Sequence, residues 1–148
     1  MTSDLQALYR DVIIDHNRQP RNFRTLEAGR KAEGFNPLCG DRLTVCVRVE
    51  HGAIQDVGFE GHGCAIAIAS ASLMTESVKG KTVAEAGTLF ERVQRMVTAS
   101  CDAPLDDLGA LSALAGVRRF PLRVKCAMLA WHAMRAAAAA TDQVVTTE

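Results

Sequence analysis

The stretch of sequence that decides the fold is RLTVCVRVEHGAIQDVGFE, residues 42–60. Its first half places an apolar residue at every second position, with polar or small residues between them. This period of two is typical of a β-strand with one covered face. A His-Gly pair then forms a turn, and the second half returns along the first. The stretch therefore predicts an antiparallel β-hairpin.

Helical patterns lie on both sides of the hairpin. Residues 4–16 repeat apolar side chains at helical spacing, and Pro20 lies in the segment that ends this helix. Residues 64–79 show the same spacing, and Gly80 is a natural C-terminal stop. Residues 23–37 are expected to be irregular, with one short edge strand.

The C-terminal half is predicted to be helical. Thr82 and Glu85 match a capping box that opens a third helix. A short helix is expected over residues 104–114, and Pro121 occupies the first turn of a final helix. The tail, residues 141–148, is expected to fray.

Together these patterns predict one α+β domain over residues 1–148, in which a small antiparallel β-sheet has helices packed on one face. Lys plus Arg and Asp plus Glu both number 17, so the formal net charge is zero. This balance argues against a nucleic-acid-binding protein, which needs excess positive charge to meet phosphates. No apolar stretch approaches the ~20 residues of a membrane span. Because no signal-peptide core follows the N-terminus, we expect a cytoplasmic protein.

The cysteine content is the first indication of chemistry. The five cysteines are Cys39, Cys46, Cys64, Cys101 and Cys126. An odd number in a chain without a secretory signal argues against a disulfide framework. Clustered cysteines in a reducing compartment more often bind metal or react, whereas a single cysteine can simply be a small buried apolar residue.

Three cysteines fall at the ends of predicted elements. Cys39 and Asp41 lie in the loop NPLCGD before the hairpin, Cys64 lies where the second strand meets a helix, and Cys126 lies in the first turns of the last helix. Such ends can meet at one edge of a sheet. Zinc accepts cysteine sulfur at ~2.3 Å and carboxylate oxygen at ~2.0–2.2 Å in a tetrahedral site. These four residues are therefore candidate metal ligands.

The residues alone leave two interpretations open. The spacing of the candidate ligands matches no zinc-finger pattern, so each cysteine is also compatible with a structural role. Cys46 lies inside the strand alternation and Cys101 follows the third helix, and we expect both to be structural. His62 lies two residues before Cys64 and is a reserve ligand.

A basic cluster flanks the start of the last helix, formed by Arg118, Arg119, Arg123 and Lys125. Cations at a helix N-terminus oppose the macrodipole by ~0.3–1 kcal/mol each, so helix stability does not explain them. One hypothesis is that they offset an anionic metal site or dock a partner, with Arg123 and Lys125 nearest the last cysteine. The alternative is a solvated loop.

Several segments together resemble a known family. They are LYRDVIIDH, PRNF, NPLCGD, GFEGHGCAIAIASASLMTE and FPLRVKCAMLAW. Over most of its length the chain resembles the SufU-type proteins of iron–sulfur cluster assembly, relatives of the IscU and NifU N-terminal scaffold proteins. IscU-like proteins carry a His where this chain has Lys125. SufU-like proteins also carry an extra segment that IscU-like proteins lack, and residues 99–119 of this chain resemble that segment. IscU-like proteins also carry a Leu-Pro-Pro-Val-Lys chaperone motif that this chain lacks.

The resemblance implies a zinc-dependent sulfur acceptor in SUF iron–sulfur cluster assembly. Cys39, Asp41, Cys64 and Cys126 would bind Zn²⁺. Cys39 would take persulfide sulfur from a SufS-like, PLP-dependent cysteine desulfurase, as a sulfurtransferase-like partner of that enzyme. The sulfur would pass to a downstream SUF scaffold or to apo iron–sulfur proteins, with no nucleic-acid or membrane partner.

Two alternatives remain at this point. The same four ligands could hold a transient [2Fe–2S] cluster on a scaffold protein, because thiolates suit iron–sulfur clusters as well as zinc. The chain could also be a metal-stabilised interaction module with no transfer role.

Overall fold

The computed structural model describes residues 2–101, 103, 108–139 and 145–146 of the chain. The elements, in chain order, are α1 (Thr2–Arg18), β1 (Arg30–Asn36), β2 (Asp41–Glu50), β3 (Ala53–His62), α2 (Ala65–Val78), α3 (Val83–Thr98), a 3₁₀ helix (Gly109–Arg119), α4 (Pro121–Ala138) and β4 (Val145–Thr146). The strands form one sheet in the order β3-β2-β1-β4. Across these ranges, no helix combines the length and the apolar character that a membrane span requires.

The predicted hairpin is formed by β2 and β3. The two strands pair antiparallel from Arg42 opposite His62 to Glu50 opposite Ala53. The apolar side chains of β2 at positions 43, 45 and 47 are wholly buried in a cluster shared with the helices. The predicted α+β class, a small and mostly antiparallel sheet with helices packed on it, is confirmed.

β1 differs from its prediction. It has seven residues and pairs antiparallel with β2 along its whole length, and its other side pairs with β4. The strand expected within residues 23–37 is therefore present, but it is longer than predicted and lies between β2 and β4 instead of at the edge of the sheet. Its buried positions include Ala32 and Gly34, and a Cβ on Gly34 would lie 3.0 Å from the Leu129 side chain of α4. The close approach of α4 requires small residues, so the strand lacks the large apolar alternation by which strands are recognised.

The C-terminal tail was expected to fray, and the structure corrects this at two positions. Val145 and Thr146 pair in parallel with Gly34 and Phe35 of β1. This pairing adds a fourth strand at the edge of β1, where the backbone groups would otherwise lack a strand partner. The remaining residues of 141–148 lie outside the described part of the chain.

The short helix expected over residues 104–114 is also corrected. Residues 104–107 lie outside the described part, and the observed element is a 3₁₀ helix that begins at Gly109. Gly109 has φ +62°, which a right-handed helix running through it cannot adopt. The 3₁₀ helix continues to Arg119 because burial continues with it, and Val117 is only 4% exposed.

The last helix occupies the centre of the structure. α4 contacts β1, β2, α2, α3 and the 3₁₀ helix. Trp131 of α4 is wholly buried, and its indole Nε1 donates a hydrogen bond to Ser70 Oγ of α2 at 3.1 Å. The Ser70 hydroxyl donates in turn to the carbonyl oxygen of Ala127 at 2.5 Å. This chain of hydrogen bonds links the two helices that carry Cys64 and Cys126.

A second polar contact joins α1 to α2. His16 is buried, and its Nδ1 lies 2.7 Å from Ser72 Oγ, which also accepts the backbone N–H of Arg21 at 2.8 Å. A neutral imidazole can accept the Ser72 proton at Nδ1, whereas an imidazolium cannot. Burial lowers the pKa of His16 from its ordinary value, and the nearby charge of Arg21 lowers it further. The histidine is therefore held in its neutral form.

This arrangement predicts a pH dependence of stability. The unfolded chain takes up a proton on His16 near its ordinary pKa of about 6.5, while the folded chain does not, so the free energy of unfolding should fall as pH drops below that value. His16→Asn should reduce the slope of unfolding free energy against pH, because up to one fewer proton is taken up on unfolding. Urea unfolding at a series of pH values measures this slope. The exposed His62, replaced by Gln, is the control. An unchanged slope in His16→Asn would contradict the assignment.

Candidate metal centre

The loop that carries Cys39 is a tight connection between two paired strands. Asn36, the last residue of β1, lies opposite Asp41, the first residue of β2, and the Gly40 N–H donates to the Asn36 carbonyl at 2.8 Å. Gly40 has φ +72°, a conformation that residues with a Cβ rarely adopt. Cys39 is exposed near the tip of this loop, whereas Asp41 is wholly buried at its base.

Cys64 lies at the start of α2 and is tied to the same carboxylate. Its backbone N–H donates to Asp41 Oδ1 at 2.8 Å. Gly63 allows this approach, because a Cβ there would lie 3.0 Å from the same oxygen. Cys64 is the N-cap residue of α2, and its side chain makes no capping hydrogen bond. The half-buried thiol is therefore not used to cap the helix.

Cys126 is contributed by α4 and is wholly buried. Its Sγ lies 3.4 Å from Cys39 Sγ. The ligand atoms of Cys39, Asp41 and Cys126 all lie within 4.8 Å of one another. Cys64 is not a member of this tight group, although its thiol is close enough to hydrogen-bond to Cys126.

Without a metal, the buried thiol is neutral at physiological pH. Burial raises the pKa of Cys126 strongly, and hydrogen bonds with Asp41, Cys39 and Cys64 raise it further. A thiol must lose its proton to bind a metal, so metal uptake at this site would release protons.

The donor set fits a soft divalent cation. Two thiols and one carboxylate converge, with the Cys64 thiol beside Cys126, and zinc accepts both donor types in a tetrahedral site. In the described part of the chain, the wholly buried Asp41 carboxylate forms no salt bridge and is held by the Cys64 N–H and by Asn36. A buried carboxylate without a compensating cation is costly, and a bound cation would offset that cost.

Asn36 is a site residue that the sequence analysis missed. It is wholly buried, and its Nδ2 donates to Asp41 Oδ2 at 3.4 Å and to Cys126 Sγ at 3.5 Å. Its Oδ1 accepts the backbone N–H of Leu38 at 3.2 Å. The Asn36 amide thus contacts the Asp41 carboxylate, the Cys126 thiol and the loop that carries Cys39. Its position at the start of NPLCGD suggested only a turn.

The predicted docking residues Arg123 and Lys125 both lie in the first turns of α4. Arg123 is exposed, and its proximity to the Cys126 thiol raises the pKa of its guanidinium above the ordinary value. Lys125 is half-buried. Arg118, from the same basic cluster, has a structural role, because it donates to the carbonyl oxygens of Met96 and Ala103.

The remaining candidates are placed outside the group. Cys46 is wholly buried in β2 opposite Gly58, as expected of a structural cysteine. Cys101 is exposed, so the expectation of a buried role is wrong for it, because α3 has already ended at Thr98. His62 is exposed at the end of β3 and does not join the three clustered ligand atoms.

Removal of the Asn36 amide should destabilise the metal-free protein. Asn36→Leu keeps the side-chain size but leaves Asp41 Oδ2 and Cys126 Sγ without their donor, so the free energy of unfolding should fall by about 1–3 kcal/mol. Urea unfolding in the presence of a chelator measures the change. The exposed Asn17, replaced by Leu, is the control and should change stability by less than about 0.5 kcal/mol. Equal stability of Asn36→Leu and wild type would show that the amide does not hold this pair.

Comparison with known proteins places the chain in a family. The model of the NifU-like N terminal domain matches residues 8–146. The chain is 39% identical over 132 residues to the zinc-dependent sulfurtransferase SufU of Bacillus subtilis. That alignment covers 89% of this chain and 90% of the Bacillus protein. It is 38% identical over 135 residues to the iron–sulfur cluster assembly scaffold protein IscU of Streptococcus pyogenes. That alignment covers 91% of this chain and 85% of the Streptococcus protein.

A solved structure agrees with these matches. A proposed iron–sulfur cluster assembly scaffold protein for the SUF system from Fervidobacterium islandicum superposes with a TM-score of 0.79 at 33% identity, covering 86% of this chain and 94% of that one. The family match spans residues 8–146, and the superposition covers 86% of the chain. The chain therefore belongs to the family of NifU-like N-terminal domains, which includes SufU-type and IscU-type proteins.

Proposed function

We propose that this chain acts in iron–sulfur cluster assembly by accepting sulfur on Cys39 from the persulfide of a PLP-dependent cysteine desulfurase of the SufS type. The observation that carries the proposal is the unequal exposure of the clustered groups. Cys39 is exposed on a short loop, while Cys126 and Asp41 behind it are wholly buried. One thiol can thus meet a partner while the others stay in place.

Cys39, Asp41, Cys64 and Cys126 would together hold zinc. The convergence of Cys39, Asp41 and Cys126, the attachment of Cys64 to Asp41 and the zinc dependence named for the Bacillus SufU support this assignment. Bound zinc would keep the thiols deprotonated and cover the buried negative charge. The exposed position of Cys39 makes it the ligand that can leave this group most easily.

The transfer step is a thiol–persulfide exchange. The Cys39 thiolate attacks the outer sulfur of the desulfurase persulfide, a new S–S bond forms on Cys39, and the S–S bond within the desulfurase breaks. The desulfurase cysteine leaves as a thiolate, and the sulfane sulfur keeps its oxidation level, so no external oxidant or reductant is needed. The persulfidated chain would then deliver sulfur to a downstream SUF scaffold or to apo iron–sulfur proteins.

A second candidate function is a scaffold on which a [2Fe–2S] cluster is assembled as cargo. Similarity at 38% identity to a protein named as an IscU scaffold favours it. The three thiols are suitable cluster ligands as well. Under this function, the same residues would hold the cluster until an apo-protein takes it.

Replacement of Cys39 separates these functions. Incubation of zinc-loaded protein with desulfurase and cysteine should add one sulfur atom to Cys39, detected by mass spectrometry of the intact chain and its peptides. Cys39→Ser should reduce this gain to background, because the remaining ligands Cys64 and Cys126 are half-buried and buried. Cys101→Ser removes an exposed cysteine outside the site and should leave the gain unchanged.

Two results would contradict the assignment of Cys39 as the sulfur acceptor. Full sulfur gain on Cys126 in the Cys39→Ser protein would move the acceptor role to Cys126. A brown protein whose visible absorption transfers to an apo-ferredoxin, with no persulfide on Cys39, would support the scaffold instead.

A further inference from the structure

A groove lies beside the candidate metal centre. It has a volume of about 390 Å³ and is bounded by α1, the first turn of α2, the 3₁₀ helix and the start of α4. Its apolar lining includes Ile13 of α1, Ile66 of α2 and Phe120 at the entry to α4. Phe120 is 59% exposed, unusually high for a large aromatic side chain. Uncovered apolar surface of this kind is typical of an interaction site.

The charges that line the groove are all positive. Arg10 of α1, Arg119 of the 3₁₀ helix and Arg123 of α4 line it, and none of the lining residues is acidic. In the described part of the chain, the salt bridges involve other basic residues, so these three guanidinium groups have no carboxylate partner there. Because the whole chain has zero formal net charge, this concentration of cations is a local feature.

The groove is continuous with the candidate metal centre. Arg123 lines the groove and lies three residues before Cys126 on α4, and Ile66 lies two residues after Cys64. A protein seated in the groove would therefore contact the starts of the two helices that carry Cys64 and Cys126. This position is required of any partner that exchanges sulfur with Cys39.

We propose that this groove docks an acidic segment of the sulfur-donating desulfurase, one that places an apolar side chain between Ile13 and Phe120 and carboxylates against Arg10 and Arg119. The inference rests on the proposed function and identifies the surface that it would use. Arginine binds carboxylates through two parallel hydrogen bonds, which supplies orientation as well as attraction. The apolar anchor would supply the buried contact at which binding energy concentrates.

A matched pair of charge reversals tests the docking. Arg10→Glu/Arg119→Glu changes the groove, and Arg48→Glu/Arg95→Glu makes the same total charge change at exposed positions on β2 and α3, outside the groove. Affinity for purified desulfurase is measured by calorimetric titration, and retained zinc content and circular dichroism show that each variant is folded. The groove variant should bind at least about tenfold more weakly, and the matched variant should stay within about twofold of wild type.

Two further measurements distinguish the parts of the proposal. Added salt should weaken wild-type binding and affect the groove variant less, because the charge attraction has been removed. Phe120→Ser should weaken binding without changing the salt dependence, since it removes only the apolar anchor. Groove-variant affinity within twofold of wild type would overturn the proposal, as would equal losses in both charge-reversed variants.

The titrations are repeated with Cys39→Ser, which should bind the desulfurase without accepting sulfur. Groove-dependent binding by this variant, with no sulfur gain on wild type, would refute the proposed function while leaving the docking surface supported. Sulfur gain on wild type, with binding that does not depend on the groove, would support the proposed function and refute the docking surface. If the groove variant instead lost affinity for a polyanion such as heparin and kept it for the desulfurase, the acidic-segment assignment would be wrong.

Discussion

The buried carboxylate of Asp41 is the constraint on which the rest of the site depends. It begins β2, it receives the backbone N–H of Cys64 at the start of α2, and it receives the amide of Asn36 at the end of β1. Three elements are thus fastened to one charged group that is wholly buried. A buried carboxylate without a compensating cation is costly, so the architecture of this sheet edge favours a bound cation.

The core explains why the site is rigid on one side and open on the other. α4 brings Cys126 to the sheet, and the Trp131–Ser70 hydrogen bond fixes α4 against α2, which carries Cys64 at its start. Cys39, by contrast, lies on a short loop at the surface. A fixed inner side and an exposed outer ligand are suited to chemistry in which one thiol changes partners while the others hold their positions.

The fold and the site could be predicted to different depths. The hairpin of β2 and β3 was predictable because large apolar residues alternate along β2, and α3 because Thr82 and Glu85 form both hydrogen bonds of a capping box. β1 was predicted only as a short edge strand, because α4 lies so close that its buried positions must be small. The sequence indicated which element ends carry thiols, but the separation of Cys64 from the tighter group depends on three-dimensional packing. Asn36 was missed because a buried amide leaves no periodic pattern.

The short loop between β1 and β2 limits how far a sulfur atom can travel. Cys39 is separated from the fixed Asp41 by Gly40 alone, so even a fully extended chain would let its Cα move no more than about 7 Å from the Asp41 Cα. The loop is too short to carry Cys39 from one protein partner to another. A donor whose own cysteine is recessed would have to present it on a projecting segment, and delivery to the next protein would require the same close approach. Under the proposed function, sulfur relay through this chain would therefore require direct contact with the donor and then with the recipient, because the loop itself spans too little distance.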